Sequence, residues 1–155
     1  MTDAHFLSIK RTIMVVDDEP ELVTIVRLML EQEEFNVKYA YSGSQLFAVL
    51  KEQKPDLIIL DVMMPEMYGL EVLARLKSAP ETSSIPVVLL TAMVLYEKRH
   101  MVRYENIIKG YRMEADYYIT KPFTETQLMT GINLFLSGDQ GHSGESPYQG
   151  QLNNG

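Results

Sequence analysis

The chain has 155 residues, 46% of them hydrophobic and 23% charged, and it contains no cysteine. Those figures fit one globular domain and exclude a fibrous or wholly disordered protein, a disulfide framework and any thiolate ligand or nucleophile. The 21 acidic residues outweigh the 14 basic ones, and the net charge of −7 argues against direct binding to a nucleic-acid backbone.

Residues 1–11 read as an N-terminal extension. Its apolar patch at Phe6, Leu7 and Ile9 is too short for a signal-peptide core. No apolar run reaches the roughly 18 residues of a membrane helix, so the expectation is a cytoplasmic protein with no membrane contact. Thr12–Val16 is a short apolar, β-branched run of the kind buried on both faces of a sheet. Pro20 and Glu21 suit the first turn of a helix that carries Leu22, Val23, Val26, Met29 and Leu30 and ends near Glu33. Phe35–Tyr39 is a second strand. Ser42-Gly43-Ser44-Gln45 is a capping box that opens a helix with Leu46, Val49 and Leu50 inward.

Leu57–Leu60 is the most apolar strand and ends on Asp61. Gly69–Lys77 is a helix, and 79–86 is a loop rich in turn formers. Pro86–Leu90 is a fourth strand ending on Thr91. A helix follows at about 96–109, then a short strand at Tyr117–Thr120. Thr124-Glu125-Thr126-Gln127 is a second capping box, opening a last helix that reaches about Leu136. Five strands alternating with five helices predict an α/β domain over 12–136, with a parallel sheet covered on both faces. Residues 137–155 hold five of the nine glycines and read as a disordered tail.

Ligands of open parallel sheets bind outside the carboxyl ends of the strands. Those ends carry Asp17 and Asp18, Asp61, Thr91 and Lys121. Taken singly, each has a plain structural reading. An Asp pair before a helix is usually a cap, and a lone Asp or Lys in a loop is usually solvated. Their convergence on one sheet edge is what points to chemistry. Three carboxylates in one crevice repel one another, and a hard cation such as Mg²⁺ relieves that repulsion. A carboxylate beside it can attack phosphorus to give an aspartyl phosphate. An ammonium and a hydroxyl then neutralise the phosphoryl oxygens.

The sequence resembles the receiver domain of two-component response regulators. The resemblance spans about Thr12 to Leu136 and rests on Val15-Val16-Asp17-Asp18-Glu19-Pro20, Leu60-Asp61-Val62-Met63-Met64-Pro65-Glu66-Met67-Tyr68-Gly69-Leu70, Leu89-Leu90-Thr91-Ala92 and Tyr118-Ile119-Thr120-Lys121-Pro122-Phe123. It implies a flavodoxin-like, doubly wound sheet of strand order 2-1-3-4-5. It implies Asp61 as phospho-acceptor, with Mg²⁺ on Asp17, Asp18, Asp61 and the Met63 backbone carbonyl. Thr91 and Tyr118 match the switch pair, Lys121 the residue at the phosphoryl oxygen, and Ala92 a small residue beside it. The Lys121–Pro122 bond is expected to be cis.

The implied function is a phosphorylation-activated signalling module rather than an enzyme. It would be charged by a sensor histidine kinase or phosphotransfer protein, and its output would be the surface of the fourth helix, fifth strand and fifth helix, docked by a downstream protein. An interaction-only pseudo-receiver is the alternative, although none of the site residues is missing. An aspartate-nucleophile phosphatase fits less well, because its strand-one acids are spaced Asp-x-Asp. No G-x-x-x-x-G-K-[ST] motif supports a P-loop. Tyr68 and Glu114 depart from the family pattern. So does the length of the fourth crossover, 92–116, whose segment 93–114 is read as extended and carries Lys98, Arg99, His100 and Arg103.

Overall fold

A computed structural model describes residues 10–64, 67–91 and 115–136. The readings of residues 1–9, Ala92, the helix at 96–109, the extension at 93–114 with Glu114, and the tail at 137–155 lie outside the described residues.

Strands β1 (Thr12–Val16), β3 (Leu57–Asp61) and β4 (Val87–Thr91) are buried at every position. Unbroken apolar runs of this kind make the inner strands of a parallel sheet. The strands pair in parallel in the order β2-β1-β3-β4-β5, which is the expected flavodoxin-like order. The edge strands are β2 (Asn36–Ala40) and β5 (Tyr117–Thr120), and both are more exposed.

Side-chain alternation divides the core into two layers. Ile13, Val15, Ile59, Val88 and Leu90 pack with Val26 and Leu30 of α1 (Pro20–Gln32) and with Leu128 and Ile132 of the last described helix, Glu125–Leu136. Met14, Val16, Ile58, Leu60 and Leu89 pack with Leu46 of α2 (Gly43–Glu52) and with Leu73 and Leu76 of α3 (Gly69–Ser78).

The Thr124 capping box closes in both directions, and the Ser42 box in one. Thr124 Oγ1 accepts the Gln127 N–H at 3.1 Å, and Gln127 Oε1 accepts the Thr124 N–H at 2.9 Å. At α2, Ser42 Oγ accepts the Gln45 N–H, while Gln45 Oε1 reaches one residue further back, to Tyr41 N–H.

Two strands start one residue later than the sequence pattern predicts. Phe35 belongs to the helix end rather than to β2. Its N–H donates to Leu30 O, and the Glu34 N–H donates to Glu31 O. That is a Schellman closure of α1, with Glu34 at φ 66° where glycine is usual. Pro86 has no N–H for the ladder, so it precedes β4, and its carbonyl accepts Ile58 N–H at 2.9 Å.

Candidate functional site

β1 delivers Asp17 to the carboxyl edge of the sheet, and β3 delivers Asp61. Asp17 is fully buried and Asp61 is 3% exposed. Asp17 Oδ1 accepts the Glu19 N–H at 3.0 Å, and Asp61 Oδ1 accepts the Met63 N–H at 3.2 Å. The N-cap of α1 is Glu19, whose own side chain makes no capping bond. Asp17 thus satisfies the N-cap N–H of α1 and also belongs to the carboxylate cluster.

Asp17, Asp18 and Asp61 each offer a carboxylate oxygen, and these atoms lie within 4.8 Å of one another. Lys121, the first residue after β5, enters the cluster from the opposite edge strand. Its Nζ lies 2.8 Å from Asp17 Oδ2 and 3.4 Å from Asp61 Oδ1. The Lys121–Pro122 peptide is cis, as expected.

Burial pushes the Asp61 carboxyl up from 3.8 to about 6. The nearby Asp17 charge adds to this rise, while the Lys121 charge and the Met63 N–H oppose it. Burial alone would lower the Lys121 ammonium. Its bond to Asp17 and the charge of Asp61 outweigh burial, and the net shift is upward. An all-oxygen, carboxylate-rich donor set of this kind suits a hard divalent cation. The residues present thus fit Mg²⁺.

Thr91 is buried at the end of β4, and its carbonyl accepts the Lys121 N–H at 2.7 Å. The β4–β5 ladder sets Tyr118 beside Leu89 and Thr91 beside Thr120. Strand alternation then puts Thr91 and Tyr118 on the same face, the one covered by α2 and α3. Tyr118 packs on that layer, and burial pushes its phenol up despite a backbone hydrogen bond at Ala115. Met63 and Tyr68 are exposed on the loop that follows Asp61.

The family described as the response regulator receiver domain matches residues 13–133. This chain belongs to that family. Among curated relatives, the phosphate regulon transcriptional regulatory protein PhoB of Rhizobium meliloti is 36% identical over 124 residues. The match covers 80% of this chain and 51% of PhoB. The chain spans about half the length of the curated relatives it matches. The receiver domain of a signal transduction histidine kinase from Syntrophus aciditrophicus is 32% identical, with a TM-score of 0.71 over 87% of this chain and 96% of that one. The receiver domain of a sensor histidine kinase from Pseudomonas aeruginosa PAO1 shares the fold at 22% identity and TM-score 0.70, covering 83% of this chain and 99% of that one. That structure has a magnesium ion coordinated in its active-site cleft. Because PhoB is named a transcriptional regulator, the expectation of no direct contact with nucleic acid finds no support.

Two features of the receiver site escaped the sequence reading. The first is the direct Lys121–Asp17 ion pair, since the resemblance assigns Lys121 only to a phosphoryl oxygen. The second is Gly69. A Cβ there would overlap the Asp61 carbonyl oxygen, and its N–H donates to Val62 O at 3.0 Å. The glycine that opens α3 after the Asp61 loop is the available signal, but only the folded chain shows what it touches.

Proposed function

We propose that the receiver is switched by phosphorylation of Asp61, with Mg²⁺ held by Asp17, Asp18, Asp61 and the Met63 carbonyl. The observation that carries this reading is the convergence of three carboxylates and one ammonium from the ends of β1, β3 and β5. When bound, the cation supplies charge that offsets the carboxylates and the phosphoryl oxygens.

Asp61 is the nucleophile. With its carboxyl near 6, it is mostly ionised at neutral pH, which leaves an oxygen lone pair free to attack phosphorus; the O–P bond forms as the donor's bond to phosphorus breaks, and the donor group leaves with that electron pair. Lys121 stands on the same side and can turn from Asp17 to a phosphoryl oxygen. Thr91 brings a hydroxyl from the neighbouring strand end. Tyr118, on the face it shares with Thr91, reports the movement of that hydroxyl to the surface. The phosphoryl donor is a histidine kinase or phosphotransfer protein, since receiver domains interact with such partners. The output surface comprises the segment after β4, β5 and the last helix. Localisation to the cytoplasm agrees with the fact that no helix among the described residues is long and apolar enough to cross a membrane.

The test is intact-mass analysis after incubation with acetyl phosphate and Mg²⁺. One acid-stable, base-labile phosphoryl group is expected on the wild type and none on Asp61→Asn. Equal labelling of the variant overturns the assignment.

A further inference from the structure

The two strands that deliver Asp61 and Lys121 begin in the same way. Asp56 precedes β3 and stands five residues before Asp61; Asp116 precedes β5 and stands five residues before Lys121. The Asp56 N–H donates to Thr12 O at 2.8 Å, and Asp56 Oδ2 accepts the Thr12 N–H at 2.8 Å. The Asp116 N–H donates to Val87 O at 3.1 Å, and Asp116 Oδ2 accepts the Val87 N–H at 2.7 Å. Each aspartate thus grips both backbone groups of one residue on the strand beside it.

Each also has a cation. Arg11 Nη1 lies 3.7 Å from Asp56, with both side chains substantially exposed. Lys77 at the end of α3 is better placed. Its Nζ donates to Asp116 Oδ2 at 2.8 Å, to Ile85 O at 2.9 Å and to Ser83 O at 3.4 Å, which uses all three ammonium protons.

We propose that Asp116, held by Lys77, is a positioning residue for Lys121 that fixes the register of β5 on β4 from the far end of the strand. β5 needs such a device more than β3 does. It has four residues and one neighbour, whereas β3 is paired on both sides. A one-residue slip would carry Lys121 about 3.3 Å along the sheet and turn Tyr118 to the other face. The displacement of Lys121 takes its ammonium out of bonding distance of Asp17 and Asp61. Asp56 provides the same lock at β3 with a weaker cation, and its loss matters less.

The rate arm of the test rests on the proposed phosphorylation of Asp61; the exchange arm does not. Lys77→Met, Lys77→Arg and Asp116→Ala are made in the full chain and also in a Lys121→Ala background. In the wild-type background, Lys77→Met and Asp116→Ala should slow phosphorylation by acetyl phosphate about tenfold, the scale of coupling within one polar network. Lys77→Arg should restore most of the rate. In the Lys121→Ala background the same changes should alter the residual rate less than twofold. Amide exchange at Lys121 and Asp116 should quicken while β1 and β3 stay protected. Equal losses in both backgrounds, or faster exchange spread evenly over all strands, overturn the proposal. If the wild type takes up no phosphoryl group, the functional reading fails, and amide exchange alone decides the register lock.

Discussion

Lys121 Nζ lies 2.8 Å from Asp17 Oδ2, a partner 104 residues earlier in the chain. The carboxylate is fully buried and the ammonium is mostly so. A buried pair gains little net stability from its attraction, because desolvation opposes it, but removing one member leaves an uncompensated charge. Lys121→Ala should therefore lower stability by about 3 kcal/mol at pH 7 in chelator. Millimolar Mg²⁺ should recover part of that loss by taking over as counter-charge. Denaturant unfolding with and without the metal measures both effects. A variant as stable as the wild type in chelator would show that the Lys121–Asp17 pair does not hold the folded state together.

Asp61 gives a pH-dependent prediction. Its folded value of about 6 lies above the ordinary 3.8, so the folded state holds the proton more tightly than the unfolded state. The stability contributed by the protonated carboxyl is complete below pH 3.8 and is lost as pH rises through 6. Asparagine mimics the neutral acid at every pH. In the absence of divalent metal, Asp61→Asn should exceed the wild type by about 1–3 kcal/mol at pH 8, and the gain should vanish by pH 4. Unfolding free energies at pH 4, 6 and 8 check this. A gain of constant size would mean that the substitution acts by packing alone.

Asp18 separates metal binding from helix capping. A lost cap costs about 0.5–2 kcal/mol, but the bond to the N-cap N–H of α1 comes from Asp17 and not from Asp18. Asp18→Ala should change the melting temperature little. Calorimetric titration should show Mg²⁺ affinity falling by about tenfold or more, the loss expected when a hard cation gives up one of few carboxylate ligands. Undiminished affinity with a lower melting temperature would reverse the assignment.

Glu34 occupies a left-handed position that costs a side chain about 1–2 kcal/mol. Part of the gain from glycine is returned as greater freedom of the unfolded chain. Glu34→Gly should stabilise the protein by roughly 0.5–1 kcal/mol without altering Mg²⁺ binding. Parallel melts and titrations test both halves of that statement.

The fold was legible because its signals are local and repeated. The apolar runs at Thr12–Val16 and Leu57–Leu60, and the Ser42 and Thr124 capping boxes, each state one element in a few adjacent residues. The acids and Lys121 could be grouped because a parallel sheet sends all its carboxyl ends to one edge. The site's internal arrangement was less legible. Whether Lys121 pairs with Asp17 or Asp61 depends on fractions of an ångström at the end of β5. The closeness of Gly69 to the Asp61 carbonyl depends on where α3 docks. The Asp56 and Asp116 locks are common residues in common contexts, and only the paired backbone contacts distinguish them from solvated loop aspartates.

The span between Asp17 and Lys121 also bears on synthesis. A chain emerging from the ribosome presents Asp17, Asp18 and Asp61 well before Lys121 and the whole of β5. Pairing β1 with β3 at that stage would bring three carboxylates together without their ammonium. Nascent receivers halted short of residue 121 should consequently stay more open in chelator than in Mg²⁺, and vectorial folding should finish only as the last strand arrives.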